Sequence, residues 1–362
     1  TVAGAAARCG TLTVFENRAE RRGRTLDLNI VVLPARGKDR RPDPIVFLHG
    51  GPGAPPTDAV PLFVRSALGE HRDVVLVDQR GTGKSNPLGC SATGLGAMFE
   101  SIATFEVPGA DACRSSYDAD LRLYTTTIAM ADLDEVRSAL GYETVNLLGG
   151  SYGTKAALEY MRRYPGRVRT AYLRGVHPPS AVLPANFDRD SQAALDAVLA
   201  ACAGERTCGA RHPDLRGKLD RTLARLAAAP ENVALTHPTT GETETVVVDD
   251  RVFRGLIHYT LYSSRMAARL PAAIDRAAAG DLRGVLENVA QFAVATESRI
   301  SLGLFLSVVC TEDAPFLDLE TVERDARGTL LGGMMSRGVH RSCAGWPRGT
   351  LPDDFKRPVR SD

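Results

Sequence analysis

A serine flanked by glycines is the feature that most constrains this chain. The segment GGSYG (149–153) follows an apolar, β-branched run, TVNLL (144–148), which predicts a buried strand. The residues after it, TKAALEYMRRY (154–164), are mostly helix formers and end at a Pro-Gly pair. We therefore expect Ser151 at a sharp turn from strand to helix, where the backbone is strained and the hydroxyl is exposed.

This turn also has consequences for the residues around the serine. Small neighbours allow the adjacent chain to pass close by, and the N–H of Tyr152 lies at a helix N-terminus, where partial positive charge collects. The arrangement is typical of a catalytic nucleophile. A Gly-rich turn without catalytic function is the alternative, but the strand before the motif and the helix after it favour the nucleophile.

The first half of the chain alternates between strand and helix patterns. Strands are predicted at 10–18, 25–35, 43–53, 73–83, 144–148 and 168–176, and helices at 125–141 and 154–164. This alternation predicts an α/β fold with a mostly parallel sheet that is covered by helices on both faces.

The pattern changes after residue 180. The chain becomes rich in Ala, Arg and Leu and mostly helical, with one hairpin predicted at 233–250. We expect residues 1–180 to form the N-terminal part of the core and residues 181–350 to form a mainly helical lid inserted after strand six. Residues 351–362 are expected to return to the core.

Composition excludes several classes of partner. The formal net charge is +1 and no basic run is present, so neither nucleic acid nor an anionic membrane surface is an expected partner. No apolar run is long enough for a membrane span. Because no His/Cys cluster has zinc spacing, we expect no metal site, and no organic cofactor is implied.

Seven cysteines indicate the compartment. Cys202 and Cys208 flank a short polar loop, a spacing that can close a disulfide across a turn between helices. We interpret the cysteines as mainly disulfides of a secreted or periplasmic protein, with one residue left unpaired by the odd count. Buried free thiols in a cytoplasmic enzyme are the alternative.

Three motifs in fixed order carry a family resemblance. HGGPG (49–53), DQRGTGKS (78–85) and GGSYG together resemble the α/β-hydrolase superfamily and, within it, the proline iminopeptidase and tripeptidyl-aminopeptidase-like serine peptidases. CGTLTV near the start, VVCTEDAPF (308–316) and CAGWP (343–347) are more similar to the tripeptidyl-aminopeptidase-like branch. The resemblance implies an α/β-hydrolase fold and Ser151 as the nucleophile.

The glycine loop HGGPG suits an oxyanion hole. Acyl transfer builds negative charge on a carbonyl oxygen, which two preorganised N–H donors must stabilise. Tyr152 is the first expected donor. Pro52 has no N–H, and the resemblance favours Gly51 as the second. His49 is interpreted as a structural histidine that bonds the loop backbone.

The segment GTGKS is not a phosphate-binding loop. That motif requires a glycine five positions before Gly83, where this chain has Asp78. We interpret Asp78 and Arg80 as a buried pair that fixes the turn.

Glu312 and Asp313 are the candidates for binding a substrate amine. In the peptidases that the chain resembles, acidic side chains near the lid hold the free α-ammonium of the substrate. The resemblance assigns this function to the CTED segment, with Glu312 first. A capped or salt-bridged start of a helix is the alternative interpretation.

The resemblance places the acid of the catalytic triad after strand seven and the histidine after strand eight. The sequence ends at Asp362, before either position, so we expect the natural protein to continue or a second polypeptide to complete the core. His177, after strand six, is a weaker candidate for the base, and a packing role is favoured for it. Arg174 stands where some hydrolases place an acid.

These observations predict a metal-independent serine hydrolase. The favoured activity is an aminopeptidase that releases residues or short peptides from free N-termini through an acyl-enzyme on Ser151. A carboxylesterase or amidase that acts on small substrates is the first alternative. A non-catalytic binding module on a hydrolase fold is the second.

Overall fold

A computed structural model describes residues 3–90, 94–104, 106–107, 109–296 and 300–360. In this part of the chain six strands form the central sheet, in the spatial order β1-β2-β4-β3-β5-β6. Their bounds are β1 (Arg8–Phe15), β2 (Thr25–Leu33), β3 (Ile45–Leu48), β4 (Val74–Val77), β5 (Val145–Gly150) and β6 (Val168–Arg174). The first two pairings, β1–β2 and β2–β4, are antiparallel and the rest are parallel, as the strand and helix alternation predicts.

Strand β4 shows why the sheet is buried on both faces. Its sequence is VVLV, and all four side chains are buried. Val75 and Val77 pack into one apolar cluster, and Val74 and Leu76 pack into another on the opposite face. A short strand of β-branched and aliphatic residues suits this position because each face contributes apolar contacts.

The order of the strands brings two predicted motifs together. Strand β3 lies parallel to β5, with Leu48 opposite Gly149. The carboxyl ends of the two strands therefore meet at one edge of the sheet, and the loop that starts at His49 lies beside the turn that contains Ser151.

Strand β6 forms one edge of the sheet. It pairs only with β5 within the described residues, and most of its side chains are exposed, including Tyr172. An unpaired strand edge presents free N–H and C=O groups to its surroundings.

The helices before residue 180 are α1 (Val60–Val64), α2 (Leu95–Thr104), α3 (Ala110–Ser116), α4 (Thr126–Ala139) and α5 (Tyr152–Arg163). Those after it are α6 (Phe187–Gly204), α7 (Arg206–Arg211), α8 (Leu215–Ala228), α9 (Asp250–Thr260), α10 (Ser264–Ala267), α11 (Leu270–Ala278), α12 (Arg283–Thr296), α13 (Leu302–Glu312), α14 (Leu319–Asp325) and α15 (Met334–Cys343). The predicted hairpin is present as β7 (Glu231–Thr236) and β8 (Thr243–Val248), which pair antiparallel.

Two apolar clusters cross the sequence boundary at residue 180. Helices α6, α8, α9, α11 and α12 share one cluster, but α2 from the first half also packs into it through residues such as Phe99. Helix α13 packs with the sheet, α4 and α5 instead. Side chains of α15 belong to both clusters. The helical region and the core are thus tied together by elements from both halves of the chain.

The described end of the chain packs against α5. Asp354 pairs with Arg163 at 2.5 Å, and Arg162 donates to the carbonyl of Phe355 at 3.2 Å. The return of residues 351–362 to the core as a whole stays a prediction. Residues 361 and 362 lie outside the described residues.

Three disulfides join helices and loops. Cys202–Cys208 closes the turn between α6 and α7, as the spacing predicts. The others are Cys90–Cys113 and Cys310–Cys343, and Cys9 is free and exposed. The described residues contain no helix with the length and apolar content that crossing a bilayer requires.

Candidate active site

Ser151 has the strained backbone that the sequence predicts. Its φ is 54° and its ψ is −124°, a conformation that is costly for a residue with a side chain. The surrounding backbone holds it in place. The Ser151 N–H donates to the carbonyl of Arg174 at 3.0 Å, and the Thr154 hydroxyl donates to the carbonyl of Ser151 at 2.6 Å. Ser151 is exposed, as expected for a nucleophile.

The glycines of the motif are required by close backbone contacts. A Cβ on Gly153 would lie 2.0 Å from the carbonyl oxygen of Leu48, and one on Gly149 would lie 2.6 Å from that of Gly153. Helix α5 therefore starts in direct contact with the end of β3. The prediction that small residues let the neighbouring chain pass close is confirmed.

The glycine loop lies against the serine. A Cβ on Gly50 would be 3.2 Å from the Ser151 Cβ. His49 Nδ1 accepts the Gly50 N–H at 2.7 Å, which is the structural function that the sequence favours for this histidine. Burial lowers the pKa of His49, with Asp58 opposing the shift, so the ring is neutral at neutral pH and Nδ1 is free to accept.

A cavity of about 340 Å³ opens at Ser151. One side is formed by the glycine loop and the serine. The other side is formed by five aromatic residues that we call the aromatic wall: Phe187, Tyr259, Tyr262, Phe292 and Phe305. No Asp, Glu, Lys or Arg is among the described residues that line the cavity.

Glu312 and Asp313, the candidates for binding a substrate amine, lie in a buried ion-pair cluster with Lys155 and not in the lining of the cavity. Both are fully buried at the C-terminal end of α13, where Asp313 directly precedes a short 3-10 helix (Ala314–Phe316), and neither lines the cavity. Asp313 pairs with Lys155 of α5 at 2.9 Å, and Glu312 lies 3.7 Å from the same ammonium. A buried carboxylate requires such partners, and these two are already paired with Lys155, which follows the strand-to-helix turn at residues 149–153 that we call the elbow.

His177 is not placed to act as the base. The backbone N–H of His177 donates to the Thr154 hydroxyl at 2.8 Å. The ring Nε2 is buried without a hydrogen-bond partner among the described residues. Burial, together with Lys155, lowers its pKa to about 4. Within the described ranges no side chain hydrogen-bonds to the Ser151 hydroxyl.

Asp78 and Arg80 are both structural, but they do not pair with each other. Asp78 accepts from the N–H and hydroxyl of Thr57 and from the Asn29 amide. Arg80 is fully buried and forms two hydrogen bonds with Asp132 of α4, at 2.6 and 2.9 Å. The expected pair is therefore wrong, because each group finds a partner on a different element.

Several side chains around the site were not predicted from the sequence. Lys155 follows Tyr152 by three residues, so both lie on one face of α5. A lysine on the buried face of a predicted helix indicates that an acidic side chain must be buried next to it, and this was the sequence signal for the pairing of Lys155. The aromatic wall gave no such signal, since its members are spread over four separate segments of the chain.

Known proteins resemble part of this chain in sequence. Residues 43–197 match a family model described as the alpha/beta hydrolase fold. A proline iminopeptidase of Neisseria gonorrhoeae is 29% identical over 133 residues, which cover 37% of this chain and 32% of the relative. A probable proline iminopeptidase of Streptomyces coelicolor is 31% identical over 189 residues, covering 52% of this chain and 48% of the relative. The chain thus spans between a third and a half of the length of these relatives.

An alpha/beta hydrolase from Novosphingobium aromaticivorans has a crystal structure that matches with a TM-score of 0.34 and 17% identity, over 68% of this chain and 70% of that one. The assignment rests on the family model and the curated relatives. Together with the elbow and its glycine loop, they support an α/β-hydrolase assignment, and the chain is similar to the proline iminopeptidases.

Proposed function

We propose that Ser151 is the nucleophile of a serine hydrolase. The observation that carries the proposal is the strained, exposed serine at the elbow, which lies at the cavity and against the glycine loop. Ser151 Oγ attacks the substrate carbonyl and forms a tetrahedral intermediate. The leaving amine or alcohol then departs with a proton, and water hydrolyses the resulting acyl-enzyme.

Two main-chain donors suit the oxyanion of that intermediate. Tyr152 is the first residue of α5, and the first amides of a helix have no acceptor within the helix. In the glycine loop, the Gly50 N–H is engaged by His49 and Pro52 has none, and of the remaining glycines the family resemblance favours Gly51 as the donor. Loss of one such donor lowers kcat by roughly 10²- to 10³-fold in serine hydrolases.

The general base belongs to this proposal as well. A serine hydroxyl needs a histidine, and the histidine needs an acid that orients it. We propose that both are carried by a segment that pairs with the open edge of β6, from the same polypeptide or from a second one. Support comes from the position of β6 directly beside β5, which leads into the elbow, and from the exposed ring of Tyr172 on β6.

An aminopeptidase is the first candidate for the substrate class. The curated relatives are named proline iminopeptidases. The volume of the cavity suits a ligand of a few residues at most, since drug-sized ligands occupy about 300–1,000 Å³. The aromatic wall suits an apolar side chain next to the scissile bond.

An esterase or amidase for uncharged acyl groups is the second candidate. One observation favours it: the described lining contains no carboxylate, and Glu312 and Asp313 are paired with Lys155. A free α-ammonium in this cavity would lose its hydration without gaining a carboxylate partner from the described lining or from Glu312 and Asp313. A comparison of L-prolyl-4-nitroanilide with its N-acetyl form distinguishes the candidates. A preference for the free amine supports the aminopeptidase, and a preference for the acetylated form supports the esterase or amidase.

The nucleophile itself is tested by Ser151→Ala. The full-length protein and the variant are treated with a fluorophosphonate, and their masses and hydrolysis of 4-nitrophenyl butyrate are compared. We expect one adduct and turnover in the parent, and neither in the variant, with the same melting temperature for both. Turnover retained in a folded Ser151→Ala variant would show that Ser151 is not the nucleophile. A folded parent protein without adduct or turnover would favour the binding-module alternative.

An oxidising compartment is proposed for the protein. Three disulfides, one of them between the segments VVCTED and CAGWP, suit an extracellular or periplasmic location rather than the cytoplasm. Alkylation of thiols in the protein from its native source checks this proposal. Labelling of Cys9 alone is expected, whereas labelling of all seven cysteines would support the cytoplasmic alternative.

A further inference from the structure

The side chain of Tyr152 is the centre of a buried chain of hydrogen bonds. Its hydroxyl accepts from Gln79 Nε2 at 3.0 Å and lies 2.9 Å from the Thr126 hydroxyl. The Thr126 hydroxyl donates to Glu312 Oε2 at 2.9 Å, and the Thr126 N–H donates to Oε1 at 2.7 Å. Tyr152, Thr126 and Glu312 are all buried.

The carboxylate sets the direction of this chain. A hydroxyl has one proton to donate, and the proton of Thr126 is directed to the carboxylate of Glu312. The Tyr152 hydroxyl must therefore donate to Thr126, and it accepts from Gln79. Each link depends on the next, since such chains are cooperative in a low-dielectric interior.

Charged groups from three segments surround Glu312. Lys155 of α5 lies 3.7 Å from its carboxylate, and Asp313 pairs with Lys155 at 2.9 Å. Lys356 approaches Asp313 at 3.5 Å from the C-terminal segment. The His177 ring is neutral near pH 7, since burial lowers its pKa to about 4. The ammonium of Lys155 therefore provides the buried carboxylate of Glu312 with a partner of opposite charge, as a buried ion requires.

We propose that Glu312, acting through Thr126, is a positioning residue that orients Tyr152 and thereby aims its N–H into the oxyanion hole. This inference rests on the proposed function of Ser151. Tyr152 directly follows the nucleophile, so one residue carries both the oxyanion donor and the anchored side chain. Fixing the phenol from two sides fixes the start of α5, and an oxyanion donor must be held to within about 0.5 Å of its productive position.

The inference gives the CTED segment a function that differs from amine binding. Its carboxylate acts on the enzyme's own backbone rather than on the substrate. The contacts span the fold, since Glu312 and Thr126 are separated by 186 residues. A purely structural network is the competing explanation, and it predicts lost stability without a specific effect on kcat.

Four variants and one matched control separate these explanations. Thr126→Val and Tyr152→Phe each remove one hydroxyl. Glu312→Gln keeps the shape but offers an N–H to Thr126, which reverses the direction of the chain. Thr126→Ser restores the hydroxyl. The control is Tyr160→Phe, because Tyr160 lies on the same helix, is fully buried, and donates to Asp134 at 2.9 Å, away from the elbow.

The measurement is kcat and KM for 4-nitrophenyl butyrate with the full-length protein at about pH 8.5, where the carboxylate of Glu312 is ionised. We expect kcat to fall about 10-fold in Thr126→Val, Tyr152→Phe and Glu312→Gln, with KM unchanged, since a misaimed donor costs less than a lost one. Thr126→Ser and Tyr160→Phe are expected to retain the parent kcat. Equal kcat values in Thr126→Val and Tyr160→Phe would overturn the inference.

The comparison with Ser151→Ala keeps the two proposals apart. If the parent is active and Ser151→Ala is not, unchanged kcat in the network variants refutes only the positioning function. If Ser151→Ala remains active, the proposed function itself fails.

A second readout needs no turnover. In protein labelled with ¹⁵N-tyrosine, the amide signal of Tyr152 is expected to shift in Thr126→Val and to return in Thr126→Ser, while the Tyr160 signal stays in place. An unmoved Tyr152 signal in folded Thr126→Val would also overturn the inference.

Discussion

The two sides of the cavity are built by different kinds of interaction. On the elbow side, Ser151 and Tyr152 are held by backbone contacts and by directional hydrogen bonds that end at a buried carboxylate. On the opposite side, the aromatic wall consists of ring contacts such as Tyr259 with Tyr262, whose centroids are 5.4 Å apart.

This difference separates rate from selectivity. Hydrogen bonds and backbone contacts have narrow geometric tolerance, so a change on the elbow side displaces reacting groups. Apolar contacts are not directional and tolerate changes of shape if the volume is filled. We therefore expect substitutions at the elbow to alter stability or kcat, and substitutions in the aromatic wall to alter which substrates fit.

The largest effect is expected for Gly153→Ala. The added Cβ would lie 2.0 Å from the Leu48 carbonyl oxygen, and a backbone atom cannot move aside as a side chain can. We expect the free energy of unfolding to fall by more than about 3 kcal/mol, measured by urea denaturation.

The control for this variant is Gly166→Ala. A Cβ there would meet no atom within 4 Å, so stability is expected to change by about 0.5 kcal/mol or less. Equal midpoints for the two variants would show that the close crossing of α5 and β3 does not govern the elbow.

A smaller effect is expected from the titration of Glu312. Burial raises its pKa to about 7, with Lys155 offsetting part of the shift. Because the folded protein holds this proton more tightly than the unfolded chain, the contribution to stability is present at low pH and is lost as the pH rises from 4.5 through about 7.

Glu312→Gln removes this titration. Between pH 5 and 7 the free energy of unfolding of the parent should fall relative to that of the variant by about 2 kcal/mol. Denaturation of both proteins over this range measures the difference. Parallel stability curves would mean that Glu312 titrates as an ordinary carboxylate and that the buried carboxylate is not strained by its surroundings.

The smallest effect on stability, and the clearest on selectivity, is expected for Tyr262→Ala. Tyr262 is 56% exposed and lines the cavity, so its loss should cost the fold little. For esters with an aromatic acyl group, kcat/KM is expected to fall by about 5-fold, the equivalent of about 1 kcal/mol of ring contact, while acetyl esters are unaffected.

Leu62→Ala provides the control. Leu62 is 74% exposed on α1 and does not line the cavity, so truncation there should leave the ratio between the two esters unchanged. An equal change of that ratio in both variants would show that the aromatic wall does not determine selectivity between the esters.

The elbow could be predicted from the sequence because its causes are local. Strand, turn and helix occupy one continuous segment, and the glycines that permit the turn lie within two residues of Ser151. The function of His49 in its own loop was predictable for the same reason, since donor and acceptor belong to adjacent residues.

The surroundings of the elbow could not be predicted in this way. The family resemblance assigns Glu312 to a substrate amine, and the sequence shows the charge of an acidic side chain but not its partner. That partner, Lys155, lies on a helix that only the packing of α13 against α5 brings near. The same holds for Asp78 and Arg80, which are close in sequence but bind different partners. Asp78 accepts from Thr57, and Arg80 donates to Asp132.

By itself, then, the sequence determined the alternation of strands and helices, the strand-to-helix turn at Ser151 and the glycine loop, because short-range sterics and hydrogen bonding dictate them. The tertiary structure alone decided which charges are neutralised in the interior and which aromatic rings face the serine. Those contacts join residues far apart in the chain, and a buried charge without a partner would strongly destabilise the fold.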